Sequence, residues 1–322
     1  MPHLLIAGKI HPSGMALLKN APGITYDYVE EVSEASYAPL ISKADGLVIR
    51  TQPCSAATIA LGTNLKIVSR HGVGYDTVDL AAVNARGIAL AVCGDVNSVS
   101  VAEHSMMLIL AATKQTVKAD TSVRNSGWGW RNLLAAREVS GKNLFIIGYG
   151  RIGRHLARMA SGFGMRIRAY DPYLEKAGWP TGDVTPVSSL EEGLRWADAV
   201  SVNVPHSGKA LIGVDELAYM RPNAVLVNTA RGGVIDEAAL AVALQNGLIA
   251  GAGVDVFETE PPTQDNALFG LHNAILTPHI AGLTAECAER MAISSVQNAL
   301  DFFNGCIDQN LVVNRAALKA AA

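Results

Sequence analysis

Three polar side chains each follow an apolar run in the last third of the chain: Arg231 in NTARGGVID, Glu260 in GVDVFETEPP and His279 in LTPHIAG. A guanidinium presents a fixed fork of donors and keeps its charge, which suits a substrate carboxylate or carbonyl. An imidazole carries a proton near neutral pH, and a carboxylate beside it holds its orientation and favours the charged form. Asp255 ends the run just before Glu260. These residue types together can pass a proton to or from an oxygen while a neighbouring cation balances the charge that develops there. Position alone does not choose the histidine, because His71, His206 and His279 all follow predicted strands. Arg231 taken singly would equally serve a helix start, and Glu260, next to Pro261, a solvated turn.

A second chemistry is written between Gly141 and Pro172, GKNLFIIGYGRIGRHLARMASGFGMRIRAYDP. Leu144 to Ile147 is the continuous apolar run of a strand buried on both faces. Gly148, Gly150 and Gly153 follow as GxGxxG, and Ile152, Leu156, Met159 and Phe163 then line one face of a helix. The first glycine permits the turn, the second lets backbone approach a pyrophosphate, and the third lets helix and strand pack closely. Unpaired N–H groups at the helix start would face the phosphates. A further strand, Ile167 to Tyr170, ends at Asp171, where a dinucleotide site holds an acid for the ribose 2′-OH. An acid there repels a 2′-phosphate, which predicts NAD over NADP. Taken alone, GxGxxG is a weak signal; strand, turn, helix and acid in order make it a strong one.

These residues need two α/β layers to position them. At 322 residues the chain exceeds the size one core usually serves. Residues 1 to about 96 alternate candidate strands (Leu4 to Ala7, Ile24 to Val29, Gly46 to Ile49, Leu65 to Ser69, Ile88 to Val92) with helical stretches, including one over Ser33 to Lys43. This stretch has no GxGxxG, so the nucleotide is not expected there. A continuous helix is predicted from Ser98 to about Arg124, at the crossing between domains, followed by a segment with Trp128 and Trp130, read as packing or interface residues. Beyond Asp171, candidate strands at Ala199 to Val204, Ala224 to Asn228, Gly251 to Val256 and Ala274 to Thr277 bring the second sheet to six parallel strands. A final helix is predicted over Thr284 to Asn304. The domain boundaries expected are 1–97, 98–283, and a tail 284–322 returning to the first domain.

With these motifs in order, the chain resembles the D-isomer-specific 2-hydroxyacid dehydrogenases, the family of phosphoglycerate dehydrogenases and hydroxypyruvate/glyoxylate reductases. The resemblance runs from RHGVGYDTVD (Arg70 to Asp79) through GYGRIG and AYDP to NTARGGVID, ETEPP and TPHIAG. It implies a flavodoxin-like substrate domain and a Rossmann NAD-binding domain, both doubly wound with parallel sheets, and an active site between them. It further implies that Arg231 binds the substrate carboxylate and keto oxygen, that His279 is the acid/base, and that Glu260 pairs with it. Val73 and Gly74 would offer backbone N–H groups to the carboxylate, and Arg50 would line the pocket. The implied NAD contacts are Gly148, Gly150, Arg151, Ile152, Gly153, Asp171, Pro172, Asn203, Pro205, Thr229, Ala230, Arg231, Asp255, His279 and Gly282. Asn203 stands where relatives often carry histidine. The expected reaction interconverts a D-2-hydroxy acid and its 2-keto acid, and the implied assembly is a homodimer through the nucleotide domain.

Within the same framework, formate dehydrogenases resemble this chain with glutamine at the position of Glu260, which argues against formate; phosphite oxidation stays open as an alternative. Other relatives act as NAD-sensing corepressors, which are expected to carry extra terminal segments and an exposed peptide groove that the sequence does not show. Nor does it show the regulatory extension of some phosphoglycerate dehydrogenases. Composition excludes several other classes. A formal net charge of -3 with no basic block predicts no nucleic-acid partner. No apolar run is long enough for a membrane span, and no signal-type start is seen. Cys54, Cys93, Cys287 and Cys306 form no CxxC pair, which predicts reduced thiols in a cytoplasmic protein and no metal site.

Overall fold

The computed structural model describes residues 1–182 and 184–321. They divide into two compact units, Met1–Asn97 with Leu283–Ala322, and Ser98–Gly282. Each is an α/β unit around an all-parallel sheet.

In the first unit the strands are β1 (His3–Ala7), β2 (Thr25–Val29), β3 (Gly46–Ile49), β4 (Ile67–Arg70) and β5 (Ala89–Val92). They lie in the order β2-β1-β3-β4-β5, the doubly wound order whose reversal falls between β1 and β3. Residues Leu4 to Ala7 and Leu47 to Ile49 have no exposed surface, because helices cover both faces of a parallel sheet. One cover is the pair Pro12–Asn20 and Ala285–Phe303. These helices approach closely at Gly14, where a β-carbon would lie 3.0 Å from Ala292 Cβ. Two polar ties fix the long helix to the sheet: Ser69 Oγ donates to the Ser295 carbonyl at 2.7 Å, and Asn298 Nδ2 to the Val92 carbonyl at 3.0 Å.

The second unit holds β6 (Asn143–Ile147), β7 (Arg166–Tyr170), β8 (Thr185–Pro186), β9 (Ala199–Val202), β10 (Val225–Asn228), β11 (Gly251–Val254) and β12 (Ala274–Leu276). Their order is β12-β11-β10-β9-β6-β7-β8, the dinucleotide-binding order with one strand more than the six expected. The additional strand, β8, makes only two residue pairs with β7 and contains a proline, too little apolar pattern to read as a strand. The helix Arg151–Gly162 packs on β6 and on the helix Ser98–Lys114.

Two helical expectations are corrected. The stretch over Ser33 to Lys43 is a short α-helix, Glu34–Tyr37, continued as a 3₁₀ segment, Ala38–Lys43. Pro39 lacks the N–H that an α-helix would use there. The helix from Ser98 ends at Lys114, Gln115 turns left-handed at φ 52, and a second helix, Thr116–Arg124, follows with no buried residue. Its residues are ordinary helix formers, so no local signal marked the break.

Core packing is tightest where the helix Leu190–Trp196 crosses β6. A β-carbon on Gly193 would overlap the ring of the fully buried Phe145, which protein interiors at crystal-like density accommodate poorly. Gly193→Ala is therefore expected to lower stability by about 1–3 kcal/mol, the usual range for overpacking. The check is a reduced urea midpoint at unchanged slope.

Candidate active site

Every candidate residue of the second unit lies at or just beyond the carboxyl end of its strand, where open α/β sheets bind ligands. At the end of β6, Gly148 has φ 90, and a β-carbon there would lie 2.6 Å from the Asn203 carbonyl oxygen. A β-carbon on Gly153 would overlap the Gly148 carbonyl, so this glycine sets how closely helix and turn pack. Around the Cβ position of Gly150, by contrast, nothing lies within 4 Å. Gly150 is also the N-cap of the helix Arg151–Gly162, and no side chain caps that helix start. Three glycines thus do three jobs: a left-handed turn, an open approach and a close packing. The open approach and the uncapped helix start fit a pyrophosphate.

Asp171 follows β7 and is half-buried. Its Oδ2 accepts the Tyr149 N–H at 2.9 Å, and its Oδ1 accepts those of Tyr173 and Leu174 at 3.0 and 3.2 Å. The carboxylate therefore ties the glycine turn to the helix Pro172–Ala177, with Pro172 at its first position. An ionised carboxylate has about four acceptor sites, so three N–H bonds leave capacity for a ribose hydroxyl. Asn203 follows β9; its Nδ2 donates to Ser201 Oγ at 3.2 Å and its Oδ1 is buried without a partner among the described residues. Arg151 and Pro205 are exposed, and Ile152 and Gly282 are half-buried.

The β10 loop is folded by Asn228. Its Oδ1 accepts the Ala230 N–H and its Nδ2 donates to the Arg231 carbonyl, both at 3.0 Å. Thr229 is buried and shares a 2.7 Å hydroxyl bond with Ser105. Arg231 is half-buried, and its Nη1 donates to the Ala230 carbonyl at 2.7 Å. Gly232 lies so close to the Phe257 peptide that a β-carbon would overlap its carbonyl. Glu237 and Glu258 exchange backbone-to-carboxylate hydrogen bonds, tying the loops after β10 and β11 together.

His279 and Glu260 meet: Nδ1 lies 2.7 Å from Glu260 Oε2, while Glu260 Oε1 accepts the Phe257 N–H at 3.0 Å. Burial alone would raise the Glu260 pKa. The His279 hydrogen bond, the Phe257 N–H and the charges of His279 and Arg231 outweigh it and hold the carboxyl below the ordinary glutamate range. Ionised, Glu260 can only accept, so His279 Nδ1 carries the hydrogen and Nε2 is left for other partners. His279 has φ 51, a left-handed conformation uncommon outside glycine, though histidine, asparagine and aspartate adopt it more often than other residues.

That strain is held by Asp255. Its carbonyl accepts the His279 N–H at 2.8 Å, its Oδ1 accepts Ile280 N at 2.9 Å and its Oδ2 accepts Ala281 N at 2.9 Å. Thr277 Oγ1 donates to Oδ1 at 2.5 Å, and His104 Nε2 lies 3.0 Å from Thr277 Oγ1. The Asp255 side chain has no exposed surface, and its carboxylate fastens the turn that carries His279. Thr277 and His104 were not among the residues singled out from sequence. Nothing in the residue order singles out His104, since its partner Thr277 lies 173 residues further on.

In the first unit, Arg50 follows β3 and its Nη1 donates to the Lys9 carbonyl at 3.2 Å. Val73 and Gly74 are half-buried in the bend after β4. The rival histidines differ from His279. His206 is exposed beside Gly233. His71 is 5% exposed, and burial, then the Arg50 charge, push its pKa down to about 4, so it is neutral at pH 7. Of the three, only His279 has a carboxylate partner among the described residues.

Glycine turn, capping acid, and Arg–Glu–His at the ends of successive parallel strands define a class of nucleotide-binding α/β proteins. Residues 106–281 match the family model described as D-isomer specific 2-hydroxyacid dehydrogenase, NAD binding domain. The chain is 38% identical over 293 residues to D-3-phosphoglycerate dehydrogenase of Mycobacterium bovis, covering 90% of this chain and 54% of that protein. It is 38% identical over 278 residues to glyoxylate reductase of Korarchaeum cryptofilum, covering 84% of this chain and 83% of that one. The solved structure of the NADPH-dependent glyoxylate/hydroxypyruvate reductase SmGhrB from Sinorhizobium meliloti superposes with a TM-score of 0.82 at 30% identity, covering 94% and 95% of the two chains. The chain belongs to the D-isomer-specific 2-hydroxyacid dehydrogenase family. It spans about half the length of the phosphoglycerate dehydrogenases it matches.

The different surroundings of the glycines predict different costs. Gly150→Ala should change stability by no more than about 0.5 kcal/mol, as for an open surface site, yet weaken NADH binding tenfold or more. Gly148→Ala should lose about 1–3 kcal/mol of stability, because its backbone conformation is strained for any β-carbon. Thermal melts beside NADH fluorescence titrations separate the two.

Proposed function

We propose that the protein is an NAD-dependent oxidoreductase interconverting a D-2-hydroxy acid and its 2-keto acid. The observation that carries this reading is the 2.7 Å His279–Glu260 pair, with Arg231 contributing to the charge around it, in the same sheet as the glycine turn. The names of the relatives, reductases and dehydrogenases of such acids, support the reaction class. The nucleotide is assigned to the unit Ser98–Gly282 and the substrate to the unit Met1–Asn97 with Leu283–Ala322.

In the reducing direction, protonated His279 gives its Nε2 proton to the keto oxygen, while Glu260 fixes the ring through Nδ1. Arg231 binds the carboxylate and balances the negative charge gathering on that oxygen. Val73 and Gly74 add backbone N–H groups, and Arg50 lines the pocket. In the oxidising direction, neutral His279 takes the hydroxyl proton. When bound, the nicotinamide supplies or takes up the hydride. The residues assigned to hold it are Gly148 to Gly153, Asp171 with Pro172, Asn203, Pro205, Thr229, Ala230 and Gly282. Asp171 supports NAD over NADP, although the Sinorhizobium relative is NADPH-dependent. A homodimer is supported by the segment from Val117 to Leu134, where Val117, Val123, Trp128, Leu133 and Leu134 are all more than half exposed. Cys54 and Cys93 are buried free thiols and Cys306 is an exposed one, which suits a reducing compartment and supports a cytoplasmic location.

The test is NADH consumption against a panel of 2-keto acids. Arg231→Ala and His279→Ala should each lower kcat/KM by about 10²–10⁴ with NADH affinity nearly unchanged. Full activity in His279→Ala would move the acid/base elsewhere. Asp171→Ala should weaken NADH more than NADPH; an unmoved ratio of the two affinities would remove the acid from the ribose.

A further inference from the structure

In the first unit, the reversal of strand order between β1 and β3 is where a doubly wound sheet opens a crevice for ligands. The residues at that point are Gly8, just after β1, and Arg50 to Gln52, just after β3. His71 follows β4, the next strand across, and its N–H bonds the Ile49 carbonyl at 2.7 Å. Gly8 has φ 92, and a β-carbon there would lie 3.0 Å from Arg50 Cβ and 3.1 Å from both amide atoms of Gln52. The glycine thus makes room for the Gln52 amide to lie across the mouth of the reversal.

Gln52 is 2% exposed, and both its Nε2 and its Oε1 are buried with no hydrogen-bond partner among the described residues. His71 Nε2 is buried in the same condition. Each such group costs about 1–3 kcal/mol, and native proteins keep few of them. Three in two side chains, both at the carboxyl ends of neighbouring strands, mark a place kept polar for a ligand. The chemistry of the set is specific. Gln52 needs one acceptor and one donor at adjacent points, which a hydroxyl group provides with a single oxygen. A phosphate ester only accepts and would face Oε1 unfavourably, and an alkyl group would leave all three atoms unpaired. His71, held neutral, adds a hydrogen-bonding nitrogen without adding a charge.

We propose that Gln52 and His71 form a specificity subsite for a hydroxyl on C3 of the acid, selecting 3-hydroxy-2-keto acids over alkyl and phosphorylated ones. This rests on the reading above that Arg50 and the bend at Val73 and Gly74 line the substrate pocket. It assigns Gln52 and His71 to substrate selection and leaves the proton chemistry to the other unit.

The experiment compares kcat/KM for hydroxypyruvate, pyruvate and 3-phosphohydroxypyruvate at saturating NADH, in the protein and in Gln52→Met, which keeps the side-chain length and removes both polar atoms. A site built to bond a hydroxyl rejects analogues lacking it strongly, so the protein should favour hydroxypyruvate over each of the others by at least about a hundredfold. Gln52→Met should reduce that preference at least tenfold without lowering the melting temperature. His71→Phe serves as the second variant, with the same expected fall. A preference near one in the unaltered protein, or one that survives in both variants, overturns the proposal. Binding of D-glycerate against D-lactate, followed by calorimetry, reads the subsite without turnover. A glycerate preference lost in Gln52→Met would support the subsite even if no acid in the panel were reduced, and only the reaction assigned above would then fail. Equal affinity for the two acids would overturn the subsite by itself.

Discussion

The buried carboxylate of Asp255 organises the reactive end of the second unit. It accepts two successive backbone N–H groups and a threonine hydroxyl, while its own carbonyl accepts the N–H of His279. Without those bonds nothing would oblige His279 to adopt a left-handed backbone, which costs a residue with a β-carbon of the order of 1–3 kcal/mol. The strain aims the imidazole at Glu260. Glu260, kept ionised by its partners, fixes which ring nitrogen carries the hydrogen. Backbone geometry, ring orientation and protonation state thus follow in sequence from one buried acid.

The glycine turn of the same sheet works by the opposite means, through space left open. Gly148 and Gly153 are closed in by backbone on all sides that matter, whereas Gly150 faces nothing. Asp171 links this turn to the helix Pro172–Ala177 through three backbone N–H groups, so the acid proposed for cofactor selection also holds the turn in place. Selectivity and architecture are coupled in one side chain.

Much of this was legible from residue order. Apolar runs followed by glycine, or by Arg, Glu and His, located strand ends to within two residues, because buried parallel strands leave continuous apolar segments. The pairing of Glu260 with His279 followed from resemblance and was met in the geometry. What stayed hidden was non-local or lacked a pattern. The break at Gln115 has no glycine or proline to mark it, and β8 is two residues long. The place of Asp255 at a strand end could not reveal that the turn beyond folds back over its carboxylate. That both polar atoms of Gln52 are buried without partners among the described residues is a property of the folded neighbourhood, which residue order does not carry.

The contact between Gly232 and the Phe257 peptide has a wider meaning. With Glu237 and Glu258 cross-linked beside it, the loops bearing Arg231 and Glu260 form one rigid casting. Drift in either loop would disturb both, so neutral sequence change has little room between residues 228 and 260. The loops after β1, β3 and β4 are tied to one another in their turn, by the Arg50 bond to the Lys9 carbonyl and the His71 backbone bond to the Ile49 carbonyl.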